Sequence, residues 1–437
     1  MSYFPDVEKH LHSYRVWLAL RREQGHDVTK QRAALVKTLA SATRRLARMS
    51  APKDLAAREP DDLESIRALR PKGPRCIPLG IPDNALLDKL HGAWLGRAAG
   101  CILGIPCEGM SMTDIRNVCA SYDIPYPLRG YWPVNPKGTV SLKMMHYGVT
   151  PLRRFLAPDL RYIGADDDLG YTLLGLLILE EYGPEFTSGD VGRAWLKYLP
   201  IACTAEKVAL DNLRKGLTPP ETPVRDNPYT DWIGADIRSD PWGYAAPGRL
   251  ERAAEFAWRD ARVSHRAAGI HSEMFFSAVI SAAFAVSDPV EAIRLGLTEI
   301  PRNCRTARAA RAALRRCQKD SNWKKTLNGI CKKYNGMSGV HALNNLEITI
   351  AGLYYGKGDF GKTITLTVMG GLDTDCTAAT AGSIMGAVLG RKGLPKKWIE
   401  PLGNRVETYL TGKRRWKSDA IARRFLRIAR QERAQDE

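Results

Sequence analysis

The sequence predicts an all-α fold, in which a compact multi-helix domain follows a helical N-terminal extension. Apolar residues recur at helical spacing in most segments, and no segment shows the clear alternation that marks a strand. Near the C-terminus, Gly382, Gly386 and Gly390 stand four residues apart, so they share one helix face. Because each glycine in a helix costs about 1 kcal/mol relative to alanine, we expect close backbone packing. The sequence therefore predicts a buried helix at the centre of the fold.

Charge, cysteine content and hydropathy indicate in which compartment the protein works and which kinds of ligand it could bind. The chain has 437 residues, a formal net charge of +18 and nine cysteines. An odd cysteine count, the absence of a C-x-x-C pair and an N-terminus without an apolar core indicate a reducing compartment, so we predict a cytoplasmic protein. No apolar run approaches the roughly 18 residues of a membrane span. The positive charge fits nucleic-acid binding, an anionic phosphate-bearing ligand, or solvated helix faces.

Residues 1–78 are predicted to form a basic helical extension, and residues 79–437 the main domain. Apolar residues at helical spacing fall within 10–22 and 29–49. Basic residues crowd the second segment, among them Arg44, Arg45 and Arg48. We interpret them as the solvated face of an accessory hairpin or, alternatively, as an arm that binds nucleic acid or another partner. Few aromatic residues are interleaved with them for base stacking.

The main domain opens with a second glycine-rich helix. Its glycines again stand four residues apart, at Gly92, Gly96, Gly100 and Gly104. This spacing predicts a helix that another element approaches closely, and Pro106 ends it. Glu108 follows in a loop, near the negative end of the helix dipole. It is a candidate general acid or base, and a solvated loop glutamate is the alternative.

Three consecutive aspartates, Asp166, Asp167 and Asp168, precede one of the most apolar helices in the chain. One aspartate is enough to cap a helix, and three like charges repel one another. The pattern suits oxygen ligands for Mg²⁺, Mn²⁺ or Ca²⁺, with an acidic surface loop as the alternative. No histidine lies in the cluster, which disfavours zinc. Residues 120–160, rich in Pro, Tyr and Gly, are predicted to form a surface segment of the kind that often contacts ligands.

A second acidic pair, Asp373 and Asp375, opens the predicted central helix. Carboxylates at the start of a buried helix need hydrogen bonds or positive charge, so they are either caps or metal ligands. Both acidic stretches follow glycine and precede a buried helix. Together they would supply about the ligand count of a two-metal oxygen site, which can orient a hydroxyl-bearing substrate and activate water. We therefore predict that the two stretches meet, with Glu108 beside them.

These motifs, in this order, resemble the ADP-ribosylglycohydrolases, and among them the dinitrogenase-reductase-activating glycohydrolase, over about residues 83–410. The segment that ends at Glu108 resembles Gly-Asp-Ala-Leu-Gly-x-x-x-Glu, and the family's catalytic Glu falls on Glu108. Residues 166–172 resemble Thr-Asp-Asp-Thr-x-x-Thr, and residues 371–378 resemble Gly-x-Asp-Thr-Asp-Thr-Asn-Ala. The family fold is all-α, which agrees with the pattern of helices.

The predicted site residues fall into three sets. The metal ligands are Asp166, Asp167, Asp168, Asp373, Asp375 and Cys376. The catalytic residues are Glu108, Asp167 and Asp375. The substrate-binding residues are Gly371, His265, Asn345 and Tyr171. Four positions depart from the family. Cys101 stands where the family usually has Asp, Asp166 and Cys376 replace hydroxyl-bearing ligands, and Thr377 replaces Asn. A thiol is a poor ligand for Mg²⁺, so one metal position is expected to be altered.

The resemblance implies a hydrolase that cleaves an ADP-ribosyl bond with two divalent cations, Mg²⁺ or Mn²⁺ with Ca²⁺ as a further candidate, and no organic cofactor. Its substrate would be an ADP-ribosylated target or an ADP-ribose-like small molecule, with Glu108 or an Asp ligand handling the proton. Two alternatives stay open. One is a hydrolase of a small nucleoside-like or sugar-phosphate N-glycoside, suggested by Cys101 and Cys376. The other is a non-catalytic protein that binds ADP-ribose or nucleic acid.

Overall fold

A computed structural model describes residues 3–135 and 142–433 of the chain. The architecture is all-α, as the sequence predicts, and the described residues form twenty α-helices. In chain order they are α1 (Pro5–Glu23), α2 (Thr29–Ala47), α3 (Lys53–Arg58), α4 (Leu63–Leu69), α5 (Asp83–Gly104), α6 (Met112–Ser121), α7 (Asp167–Tyr182), α8 (Ser188–Tyr198), α9 (Thr204–Arg214), α10 (Asp240–Ala245), α11 (Leu250–Ala261), α12 (Ala267–Ala283), α13 (Pro289–Gly296), α14 (Arg305–Lys319), α15 (Trp323–Lys333), α16 (Ala342–Gly356), α17 (Phe360–Val368), α18 (Thr374–Gly393), α19 (Lys396–Ile399) and α20 (Ser418–Arg433).

Helices α5 and α18 form the centre of the fold and run antiparallel in direct backbone contact. A methyl group placed on Gly100 would lie 1.9 Å from the carbonyl oxygen of Ala378, and one on Gly96 would lie 2.2 Å from that of Gly382. Side-chain Cβ atoms essentially never approach another atom within 3.0 Å, so this spacing requires glycine. The prediction of close backbone packing is confirmed, and the two glycine sets are each other's partners.

Helix α18 departs from helical geometry at Gly390, where φ is 69° and ψ is 167°. A methyl group there would lie 2.3 Å from Oδ2 of Asp88 in α5. Both the positive φ and the close approach therefore require glycine. Gly382 and Gly386 lie on the predicted helix face, whereas Gly390 contacts α5 at a position where the helix is kinked.

Helices α12, α16, α17 and α20 pack around the central pair. The most apolar of them is α12, in which every residue after Ala267 is buried, and α7 is buried along most of its length. Within the described ranges, no helix combines the length and the hydropathy needed to cross a membrane.

Short strands form two hairpins. They are β1 (Met145–His146), β2 (Thr150–Pro151), β3 (Arg405–Glu407) and β4 (Arg415–Lys417). Strand β1 pairs antiparallel with β2, with Met145 opposite Pro151, and β3 pairs antiparallel with β4, with Val406 opposite Trp416. Strands of two or three residues are too short to show alternation in the sequence, and they leave the predicted all-α class unchanged.

The N-terminal segment has two structurally different parts. Helices α1 and α2 contain no buried residue. From Glu59 onward the chain lies on the main domain, because Glu59 pairs with Arg305 at 2.7 Å and Arg70 pairs with Glu299 at 2.7 Å. Ile66 is fully buried in the core. Helices α1 and α2 thus contribute no buried side chain to the core, in contrast to the chain from Glu59 onward.

Candidate metal centre and active site

The first acidic stretch forms the N-terminus of α7. Asp166 is the N-cap, and its side chain accepts a hydrogen bond from the N–H of Asp168 at 3.0 Å. Asp166 and Asp168 are fully buried, and Asp167 is half-buried. Because Asp166 already meets the capping requirement of the helix, the burial of the Asp168 carboxylate needs another explanation.

The second acidic stretch begins α18 and is fixed by two neighbouring helices. The side-chain oxygen of Asn345 in α16 accepts a hydrogen bond from the N–H of Asp373 at 3.3 Å. The hydroxyl of Thr374 donates to the carbonyl oxygen of Gly104 in α5 at 2.9 Å. These contacts set the positions of Asp373 and Asp375, which are each only 4% exposed.

The loop after α5 pairs with the chain just before α18. The N–H of Gly109 donates to the carbonyl oxygen of Leu372, and the N–H of Leu372 donates to that of Met110, each at 2.8 Å. Gly371 has φ of 70°, and a methyl group on it would lie 2.5 Å from the carbonyl oxygen of Met110, so glycine is required here. This pairing brings Glu108 to the start of α18.

The two acidic stretches and Glu108 meet, as the sequence predicts. The side chains form three groups, and within each group the possible ligand atoms lie within 4.8 Å of one another. The groups are Asp166, Asp167 and Asp168; Glu108, Asp373 and Asp375; and Asp168, Asp375 and Cys376. Asp168 and Asp375 each belong to two groups, so the three form one continuous carboxylate cluster.

The atoms of this cluster fit a hard divalent cation. Oδ2 of Asp168 and Oδ1 of Asp375 are buried without a hydrogen-bond partner in the part of the chain that the structure describes. A buried carboxylate oxygen without a partner is costly, and a cation would compensate both. Carboxylate oxygens suit Mg²⁺, Mn²⁺ and Ca²⁺.

Burial and like charge disfavour ionisation of the cluster. Burial, followed by the charges of its two neighbouring aspartates, raises the pKa of Asp167 well above its usual range. Burial, followed by the charges of Glu108 and Asp373, does the same to the pKa of Asp375. Protons and a cation therefore compete for the same oxygens, and a bound cation would favour the ionised carboxylates.

Sequence reasoning misses Arg97, a fully buried guanidinium beside the cluster. Its Nη2 lies 3.1 Å from Oδ1 of Asp168, and its Nη1 lies 2.6 Å from Oδ2 of Asp240. Its Nε donates to the hydroxyl of Thr172 at 2.8 Å. Arg97 thus holds one oxygen of Asp168 and leaves the other for a ligand. An arginine within a run of small residues on a helix predicted to be buried is the signal that could have revealed it.

Two further side chains contact Asp166. Nε2 of His146 lies 2.9 Å from its Oδ2, and the thiol of Cys101 donates to its Oδ1 at 3.2 Å. Where the family resemblance would place Asp, Cys101 therefore acts as a donor, whereas a carboxylate would repel Asp166. Sequence reasoning does not single out His146, because it lies in a segment without periodicity. With both oxygens of Asp166 in these contacts, its role as a metal ligand stays a prediction.

Cys376 lies at the junction of the two acidic stretches and is 7% exposed. Burial, followed by the charges of Asp168 and Asp373, raises the pKa of its thiol well above the usual range. A metal ion close to a thiol has the opposite effect and favours the thiolate. Cys376 as a ligand stays a prediction, which the geometry permits and which favours a softer cation than Mg²⁺.

Of the four predicted substrate-binding residues, two lie near the carboxylate cluster and two lie close to Arg238. Asn345 in α16 and Gly371 just before α18 both lie beside the first turn of α18, where they hydrogen-bond within the protein. Tyr171 is 3% exposed inside α7, with its ring centroid 5.4 Å from the guanidinium of Arg238. His265 is fully buried, and the serine before it hydrogen-bonds both its Nδ1 and Arg238. The contacts of His265 therefore belong to another network, and all four substrate roles stay predictions.

A small cavity of about 130 Å³ lies beside the cluster. Glu108 and His146 line it on the polar side, and Pro106, Leu152 and Leu156 contribute apolar surface. Its volume corresponds to about four water molecules. It could hold one small substrate group next to the carboxylates.

Most of the chain matches a known family. The family model described as ADP-ribosylglycohydrolase matches residues 82–435. A solved structure described as "ADP-ribosylglycohydrolase-related protein complex" is 20% identical to this chain, with a TM-score of 0.48, and the match covers 79% of this chain and 99% of that chain. No curated protein matches. The family match includes every residue of the carboxylate cluster and leaves out α1 to α4.

Proposed function

Because the chain belongs to the ADP-ribosylglycohydrolase family, we propose that it is a divalent-metal-dependent hydrolase that removes ADP-ribose from a modified target or metabolite. The observation that most supports this is the convergence of Glu108, Asp168 and Asp375 in one buried cluster. Two cations, Mg²⁺ or Mn²⁺, would position the ribose hydroxyls and lower the pKa of water. The nine free cysteines favour a reducing compartment, the cytoplasm.

Four side chains of the cluster, and Arg97 beside it, have a role in this proposal. Asp168 from α7 and Asp373 and Asp375 from α18 would hold the cations, Arg97 positions Asp168, and Glu108 handles a proton. Glu108 is half-buried at the edge of the cluster, where it exchanges a proton with the leaving oxygen or nitrogen of the glycosidic bond or with water. Glycosidic cleavage passes through an oxocarbenium-like transition state. Its positive charge is stabilised by buried carboxylates that are already fixed in place.

The test is release of ADP-ribose from peptides and oligonucleotides that carry it on arginine, serine or phosphate, with Mg²⁺, Mn²⁺ or EDTA. We expect release only with a cation. Asp375→Asn should reduce the rate by about 100-fold or more, since it removes a carboxylate at the centre of the cluster and even indirect contacts to a metal contribute 10–100-fold. The matched control is Asp226→Asn, at an exposed position outside the cluster, which should retain full activity.

Two outcomes would contradict the proposal. Undiminished activity of Asp375→Asn would exclude the cluster as the active site. No release from any ADP-ribosylated substrate would exclude the activity. Cys101 and Cys376 favour one alternative, a hydrolase of small N-glycosides, so nucleoside and sugar-phosphate N-glycosides belong in the same assay. Turnover of these compounds alone would support that alternative, and tight binding of ADP-ribose without turnover would indicate a binding protein.

A further inference from the structure

A cleft rich in arginine lies along α14 and shares no residue with the carboxylate cluster. Arg308 and Arg315 are exposed on this helix, and Arg311 between them is half-buried. The opposite side of the cleft is formed by Lys333, Tyr334 and Leu343. The cleft encloses about 730 Å³, which makes it several times larger than the cavity beside Glu108.

The positive charge of this arginine cleft is only partly neutralised by the described residues, because Arg58 and Lys333 form ion pairs with Asp54 and Glu347. Arg305 at the start of α14 pairs with two carboxylates, those of Glu59 and Asp231, each at 2.7 Å. By contrast, no carboxylate of the described chain forms an ion pair with Arg308, Arg311 or Arg315. Burial, and beyond it the charges of the surrounding arginines, lowers the pKa of Arg311. Like charges held together in this way favour an anionic occupant.

The spacing of the arginines indicates an occupant with several negative charges in a row. Arg308 and Arg315 are seven residues apart, which is about 10 Å along a helix axis. A row of this length can place successive phosphates of a nucleic-acid strand at separate arginines, and such phosphate contacts supply most of the sequence-independent affinity for nucleic acid. The ring of Tyr334 on the opposite side is half-buried, and Nζ of Lys333 lies 4.6 Å from its centroid, so a base could stack only on the other face of this ring.

We propose that the arginine cleft binds the phosphate backbone of a single-stranded nucleic acid. Leu343 in its wall belongs to the first turn of α16, and the same turn holds Asn345, which fixes Asp373. The cleft and the carboxylate cluster therefore share one helix end. Binding needs no turnover, so this proposal stands or falls independently of the proposed hydrolase activity.

The test measures fluorescence anisotropy of a short labelled single-stranded RNA with the full chain at several salt concentrations. The variant Arg308→Gln/Arg315→Gln removes the two exposed charges and leaves Arg311 in place. We expect it to weaken binding by about tenfold at low salt. The slope of log affinity against log salt should become shallower by about 1.4, because each phosphate contact on a single strand contributes about 0.7. Arg308→Lys/Arg315→Lys keeps the charge and should retain most of the affinity.

The matched control is Arg44→Gln/Arg48→Gln, which removes the same charge from two exposed positions, one in the last turn of α2 and one directly after this helix, and it should bind RNA like the unmodified protein. Melting temperatures of both variants establish that they are folded. Equal weakening by both would show that only net charge matters, and weakening by the control alone would assign binding to the N-terminal extension. Absence of binding at low salt, displacement by inorganic phosphate at the concentration of RNA phosphate, or a preference for a phosphorylated peptide would also overturn the proposal.

Discussion

Gly104→Ala tests whether backbone contact between α5 and α18 fixes the carboxylate cluster. Gly104 has φ of −80° and ψ of −41°, a right-handed conformation that any residue can adopt. A methyl group on it, however, would lie 2.3 Å from the carbonyl carbon and oxygen of Thr374 and from the nitrogen of Asp375. Ordinary contacts begin at 3.4 Å, so the start of α18 would have to move by more than about 1 Å.

Two opposing effects set the expected change in stability. Overpacking of this kind costs about 1–3 kcal/mol, and alanine returns about 0.5–1 kcal/mol of helix preference. We therefore expect the free energy of unfolding to fall by about 1–2 kcal/mol, measured by urea denaturation with EDTA present. The displacement also moves Asp375 relative to Asp168. A misplacement of about 1 Å can reduce a catalytic rate by about 100-fold, so hydrolysis should fall far more than stability.

The matched control is Gly189→Ala in α8. The nearest atoms to a methyl group there lie at 3.5 and 3.7 Å and belong to side chains, so this change should leave stability unchanged or raise it by up to about 1 kcal/mol. If Gly104→Ala proved as stable as Gly189→Ala, or kept full stabilisation by Mn²⁺, then backbone contact would not set the position of the cluster.

Two further predictions concern protons and sulfur in the cluster. The pKa values of Asp167 and Asp375 are raised by burial and like charge, so above about pH 4 the metal-free fold binds more protons than the unfolded chain and loses stability as the pH rises. The increase in melting temperature caused by Mn²⁺, measured against EDTA, should therefore grow from about pH 5.5 to about pH 8, and a constant increase would contradict this reasoning. Cys376→Ser should abolish the ultraviolet sulfur-to-metal absorption that Cd²⁺ produces and weaken Cd²⁺ binding by about tenfold, whereas Cys101→Ser should retain both; absorption that survives in Cys376→Ser would exclude Cys376 as a ligand.

The helix contact and part of the carboxylate cluster could be predicted from the sequence, because each depends on residues that are close together in the chain. Glycine at intervals of four predicts a tight helix contact, because little other than backbone proximity compensates for glycine in a helix. The excess of aspartate at Asp166 to Asp168 predicts more than a cap, and the structure brings Asp168 next to Asp375. The glycine spacing predicts that another helix packs closely, and the aspartates predict that a positive charge or ligand is near. Neither pattern identifies the segment that supplies this contact.

The residues that escaped prediction depend on contacts between distant segments. Arg97 pairs with Asp168 and Asp240, which lie on two other helices and become its neighbours only when the chain folds. His146 reaches Asp166 from a hairpin of two-residue strands, too short to carry a periodic signal. Basic residues are equally ambiguous, since only the structure distinguishes the paired Arg305 from Arg308, which has no carboxylate partner among the described residues.

Because α5 and α18 contact each other through their backbones, the positions of the helix ends at the site do not depend on which side chains bind a cation. Main-chain atoms of Gly96, Gly100 and Gly104 set the distance between the helices, so that distance does not depend on which side chains project from their ends. Replacing a hydroxyl by a thiol at position 376 can then alter the cation that is favoured while the surrounding frame stays unchanged. A chain built in this way could acquire a new metal preference through a single substitution, without first rebuilding its core.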